Sequence, residues 1–144
     1  MTADLVAFLR ARLDEDEQRA RLATPGPWRH DADKHHHIIG TAIFEEAVFA
    51  GPPGVAAICI AGTGETDDLQ SMRDATHIAR HDPARVLAEV DAKRRIIDSC
   101  SHYLSWQPPV PPKQIQSWAL AHGTLHLLAL PYSSHPDYRP EWRP

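Results

Sequence analysis

Apolar residues return every three or four positions from Leu5 through Phe8, Leu9 and Leu13, with Val6 beside them and with Thr2 and Asp4 where an N-cap would stand. That spacing predicts an amphipathic helix running to about Leu22. Its polar face sets Glu15 four residues before Arg19, and Glu17 four before Arg21, the favourable order for solvated surface pairs. Thr24-Pro25-Gly26-Pro27-Trp28 then stops the helix, since proline fixes φ and Gly26 can supply the positive φ of a type II turn. Trp28 is either a buried anchor whose ring N–H finds an acceptor or a platform on which a ligand stacks.

The texture changes between Ile38 and Ile60 to short runs of Ile, Val and Phe, broken at Gly40 and at Gly51-Pro52-Pro53-Gly54. Strands are the natural reading. Ile43-Phe44 with Ala47-Val48-Phe49 make one strand, Val55 to Ile60 its hairpin partner, and Trp28 to His30 a short third. Gly62-Thr63-Gly64 closes the last strand and opens a helix from about Thr66. A helix N-terminus can hold an anion, but Glu65, Asp67 and Asp68 already complement the dipole there.

That helix carries Leu69, Met72, Ala75 and Ile78 inward and ends at His81, because Pro83 disfavours α geometry at Asp82. Asp82 caps the next helix, with Pro83 in its first turn and Val86, Leu87, Val90, Ile97, Cys100 and Leu104 on one stripe. Two amphipathic helices joined at Ala79-Arg80-His81-Asp82-Pro83 fold into a corner against the sheet. Pro108-Pro109-Val110-Pro111-Pro112 is a stiff polyproline spacer or a segment docking on an aromatic groove. A last helix holds Ile115, Trp118, Leu125 and Leu128, and the end from Pro131 to Pro144 has no period but keeps Tyr132, Tyr138 and Trp142. Those three aromatics pack on the domain or bind a partner.

The fold class is therefore α+β. A small antiparallel sheet of two or three strands packs against the N-terminal helix and the helix–turn–helix corner, with a C-terminal helix and an irregular tail added. A length of 144 residues fits one domain, with residues 1–106 as core, 107–114 as spacer and 115–144 as helix and tail.

Composition removes several functions. The net charge of -4 gives no electrostatic footprint for nucleic acid or an anionic membrane surface. The densest basic cluster, Lys93-Arg94-Arg95, follows Glu89 and Asp91 at helical spacing and is largely neutralised by them. The corner also lacks the three- or four-residue turn of a DNA-reading helix-turn-helix. No signal peptide or membrane-length apolar run is present, so a cytoplasmic protein with reduced, mostly buried Cys59 and Cys100 is expected.

Histidine is the residue type with most chemistry to offer, ten in all. His77 and His81 lie four apart on a helix, as do His122 and His126, the geometry of paired metal ligands. If the two helices met, four imidazoles could converge on one zinc ion, with Asp74 or Cys100 in place of one. Neither pair forms an HExxH motif, and packing and capping of helix ends are the favoured explanation of both. Trp28, His77, Arg80 and His81 are the candidate ligand-binding residues. Nucleophilic catalysis has no G-x-S-x-G elbow to support it.

The segments Thr24-Pro25-Gly26-Pro27-Trp28, Asp74-Ala75-Thr76-His77-Ile78-Ala79-Arg80-His81-Asp82-Pro83-Ala84-Arg85-Val86-Leu87, Leu127-Leu128-Ala129-Leu130-Pro131-Tyr132 and His135-Pro136-Asp137-Tyr138 with Trp142 resemble an uncharacterised family of small proteins from actinobacteria and their phages. The first two are similar to segments of small phage accessory proteins. His35-His36-His37 and His122-Gly123-Thr124-Leu125-His126 depart from that pattern. The resemblance brings no catalytic residues with it. A non-enzymatic binding or regulatory protein, taking a host-protein partner, a small ligand or a second copy and needing no cofactor, is the leading expectation. A metal-binding protein or metal-dependent hydrolase using the paired histidines is the alternative.

Overall fold

The spacing of Leu5, Phe8, Leu9 and Leu13 does build helix α1, Thr2–Leu22, and all four side chains are buried. The structure, a computed structural model, describes residues 2–31, 45–51, 57–106 and 109–144. Three strands follow α1: β1, Trp28–His30; β2, Glu45–Ala50; and β3, Ile58–Glu65. Then come α2, Leu69–Ala79; α3, Pro83–Leu104; and α4, Ile115–Ala129. Single 3-10 turns stand at Pro112–Gln114, Leu130–Tyr132 and Pro140–Trp142. The architecture is α+β, and the chain divides into two compact units, Gln18–Ala88 and Met1–Glu17 with Glu89–Pro144.

In the unit Gln18–Ala88 the strands form an antiparallel sheet in the order β1-β2-β3, with Trp28 opposite Ala50 and Ala50 opposite Ile58. As the central strand, β2 buries Glu46, Ala47, Val48, Phe49 and Ala50 without a break. Helix α2 packs on all three strands through Ser71 and Ala75. The expected residues Ile43, Phe44, Val55 and Ala56, the histidine run 35–37 and Pro108 lie outside the described residues.

Three expectations are corrected here. Strand β3 runs on through Gly62-Thr63-Gly64 to Glu65, and α2 starts at Leu69, not Thr66. Pairing with β2 overrides the glycines, and Thr63 Oγ1 ties the strand to its neighbours by donating towards the Glu46 carbonyl (3.1 Å) and the Ser71 carbonyl (2.8 Å). Gly64 has φ of 139° and lies against the Ser71 hydroxyl, so any β-carbon there would clash. Asp68 is the N-cap of α2, accepting from the Ser71 N–H and hydroxyl at 2.8 Å each, which holds its carboxyl below the ordinary value of 3.8. Second, Leu69 and Cys59 are exposed, because Leu69 opens α2 and Cys59 is on an edge strand. Third, Gly26 does not take the positive φ that a type II turn needs; among the described glycines positive φ is found at Gly51 and Gly64. Its need for a missing side chain comes from Asp82, described below.

The corner forms as the Asp82-Pro83 pair dictates. The His81 N–H closes the last turn on the Ile78 carbonyl (3.0 Å), and Asp82 Oδ1 accepts from the Arg85 N–H (2.9 Å) to cap α3.

In the unit Met1–Glu17 with Glu89–Pro144, the core is drawn from Leu5, Leu9 and Leu13 of α1, Val90, Ile97 and Cys100 of α3, and Ala121, Leu125 and Ala129 of α4. Burial raises the Cys100 thiol above its ordinary range. Arg94 reaches Asp14 and Glu17 at 2.6 Å each, and Lys93 and Arg95 pair with Glu89 and Asp91, so the basic cluster is neutralised as expected. Glu15 takes Arg12 at 2.8 Å. Ile115, expected to face inward, is exposed at the first turn of α4.

The tail after Ala129 is not irregular throughout, since two of the 3-10 turns lie in it. It packs on α1 around Phe8, whose ring meets those of Trp142 (centroids 4.9 Å apart), Tyr138 (6.1 Å), Tyr132 (6.3 Å) and His135 (5.8 Å). The Tyr132 hydroxyl donates to Asp16 at 2.6 Å, and Arg139 meets Asp4 at 2.9 Å. The aromatics considered as a partner surface, Tyr132, Tyr138 and Trp142, are thus folded onto their own chain, and Trp142 is only 4% exposed.

Candidate functional site

The sequence-predicted site residues fall into two separate groups. In the unit Gln18–Ala88, Trp28 is half-buried and its ring N–H donates to the Thr24 carbonyl at 2.9 Å, the role of an anchor. His77 and His81 are exposed with ring centroids 4.5 Å apart, and His81 Nδ1 bonds the His77 carbonyl at 2.8 Å. Arg80 is exposed, and its carbonyl accepts from Arg85. None of these four lines the cleft of the other unit.

His122 and His126 have a different setting. They line a cleft of about 770 Å³ within the unit Met1–Glu17 with Glu89–Pro144, a size suited to a small organic molecule. Its walls are aromatic, from Trp106, Trp118 and Trp142, with Leu5, Val6 and Leu104 beside them. The polar lining consists of the two imidazoles, Arg10, Glu141 and the hydroxyls of Thr2, Ser101 and Ser105. Helical spacing assembles one wall, since Trp118, His122 and His126 succeed one another at intervals of four along α4. Trp118 stacks on His122 with centroids 4.9 Å apart and planes 19° from parallel. His122 in turn faces His126, with centroids 4.3 Å apart and the two Nε2 atoms separated by 3.3 Å.

Protonation within the pair follows from one contact. His126 Nδ1 lies 2.7 Å from the Trp142 carbonyl oxygen. A carbonyl only accepts, so Nδ1 carries the proton and Nε2 of the neutral ring is bare. Burial, and then the neighbouring His126, lowers the His122 pKa from its ordinary 6.5. The indole N–H of Trp142 is buried without an acceptor among the described residues. The cleft therefore offers flat apolar walls for stacking, with the two imidazoles and the charged Arg10 and Glu141 placed to hydrogen-bond along them.

Sequence reasoning missed Trp106 and Trp118 as site residues. The signal was present for one of them: the interval of four that links the histidines extends one step back to Trp118. It also missed Glu46, whose fully buried carboxylate meets His30 Nε2 at 2.6 Å and accepts the Asp67 N–H at 2.9 Å. Asp67 there has φ of 63°, and Glu46 fixes the turn between β3 and α2. Among the described residues no group of three or more His, Cys, Asp or Glu is placed to hold a metal ion. None of the described helices is long and apolar enough to cross a membrane.

What these observations define is an α+β protein with an aromatic-walled cleft in its helical unit. The chain belongs to a family of unknown function, DUF6221, whose model matches residues 2–144. No curated protein and no solved structure matches it.

Proposed function

We propose that this chain is a binding protein that takes a planar aromatic small molecule into the cleft of Trp106, Trp118, Trp142, His122 and His126, and serves an accessory or regulatory role through it. The observation that carries this reading is the coincidence of about 770 Å³ of space with three tryptophans and a stacked imidazole on its walls. Indole and imidazole faces favour a flat ring system, and the bare Nε2 of His126 is a hydrogen-bond acceptor for it. An uncharged ligand with a ring N–H or O–H donor suits that acceptor best. The accessory role is in keeping with the resemblance to small phage proteins.

Titration of the protein with a panel of neutral bicyclic heteroaromatics, followed by tryptophan fluorescence and calorimetry, tests it. Saturable binding that Trp118→Ala weakens about tenfold or more supports the reading, the loss expected when a stacking face is removed. Binding that ignores Trp118→Ala, or none across the panel, rejects it.

A further inference from the structure

The geometry points to a metal site in the same cleft: we propose that His122 and His126 bind a divalent transition-metal ion of the zinc type through their two Nε2 atoms, leaving its other coordination positions open. Three features of the pair lead there. Two nitrogens on one tetrahedral zinc, each at the usual bond length, stand about 3.3 Å apart, and the two Nε2 atoms are 3.3 Å apart. That separation is at the long end for an N–H···N hydrogen bond. The ring centroids are 4.3 Å apart, and an ion held between the two Nε2 atoms would take the place of the N–H···N contact that now joins them.

The second feature is orientation. Metal-bound imidazoles commonly donate their other N–H to a carbonyl, which fixes the tautomer that leaves the ligating nitrogen bare. His126 does this to the Trp142 carbonyl at 2.7 Å. The third is support, since stacking on Trp118 restrains the His122 ring. The exposed His77–His81 pair has an orienting bond too, but only to the carbonyl of His77 itself, and neither residue lines this cleft.

Catalytic zinc sites carry three protein ligands, and no third joins this pair among the described residues. The bound ion is accordingly exchangeable, with its free positions filled by water or by a donor atom of a molecule in the cleft. This inference does not depend on the aromatic ligand, and the metal alone is the probe.

Ten histidines make stoichiometry by itself a poor witness. Crystals of the full chain soaked in Zn²⁺ locate the ion by anomalous scattering, and calorimetry with Zn²⁺ is run on His126→Gln, on His122→Phe, which keeps the stacked ring, and on His77→Gln/His81→Gln. An anomalous peak bonded to both Nε2 atoms is expected, with affinity reduced about tenfold or more by either change in the cleft pair and unaltered by the exposed pair. Far-UV circular dichroism and melting confirm that each variant is folded. The Zn²⁺ peak falling only at other histidines, no peak at all, or undiminished affinity in folded His122→Phe would overturn the proposal.

Discussion

Gly26 and Asp82 meet so closely that a β-carbon on the glycine would stand 2.5 Å from Oδ2 of the aspartate and 3.2 Å from its Cγ. The carboxylate has little freedom to yield, because its other oxygen caps α3 at the Arg85 N–H. The turn before β1 and the corner between α2 and α3 are therefore one structural feature. Gly26→Ala is expected to destabilise the protein by about 2 kcal/mol, an overpacking cost with damage to the cap added. Asp82→Ala loses the cap but clears the space. The double variant should be less destabilised than the sum of the singles, and denaturant melts of all four proteins measure that coupling.

Glu46 is, with Asp31, a buried acid of the sheet unit, and its carboxylate is shared between His30 and the Asp67 N–H. Glu46→Ala leaves both donors without that acceptor and should cost about 3 kcal/mol. Glu46→Gln retains one oxygen and should cost less. Loss of amide protection at Asp67 in hydrogen exchange would locate the damage at the β3–α2 turn.

These two contacts mark where the sequence was and was not legible. The Asp82 cap and the Leu5-Phe8-Leu9-Leu13 stripe are local, fixed by residues within a turn of one another, and they could be read directly. Glu46 could not, because an acid between strand residues reads as solvent-facing until Asp67 is brought to it from 21 positions away. Gly62 and Gly64 read as strand breakers, and only pairing with β2 keeps them in β3. The tail resisted for the same reason: Trp142 is assigned its place by Phe8, at the far end of the chain. The cleft was half legible: the interval of four marks its histidines and reaches back to Trp118, whereas Trp106 and Trp142 join them only through the fold.

Asp68 gives an acid limb to stability. Hydrogen bonds from Ser71 lower its folded pKa below the ordinary 3.8, so the unfolded chain binds the proton more readily. Its stabilising contribution is present above about pH 4 and is lost as pH falls through the folded value. Asp68→Asn keeps an acceptor without the titration, and its melting temperature should fall less steeply than that of the parent below pH 4.

Tyr132 gives an alkaline limb of opposite sign. Burial, and then the bond to Asp16, raise its pKa well above the ordinary 10.0. The folded state then holds the phenolic proton that the unfolded state releases, and stability is lost as pH rises above 10. Of three tyrosines, one should resist ionisation in an ultraviolet titration until the protein unfolds. Tyr132→Phe should cost about 1 kcal/mol at neutral pH and flatten the alkaline loss.

The cleft itself is best interrogated through its own tryptophans. The protein has four, and each gives a separate indole N–H signal in a proton–nitrogen correlation spectrum. Trp106, Trp118 and Trp142 line the cleft, whereas Trp28 belongs to the other unit and serves as a control in the same tube. Titration with neutral bicyclic heteroaromatics should move the signals of Trp106, Trp118 and Trp142 along a common saturation curve and leave Trp28 still. Ligands that move Trp28 equally, or that leave the three cleft signals unmoved, would contradict the assignment of this cleft as the binding site.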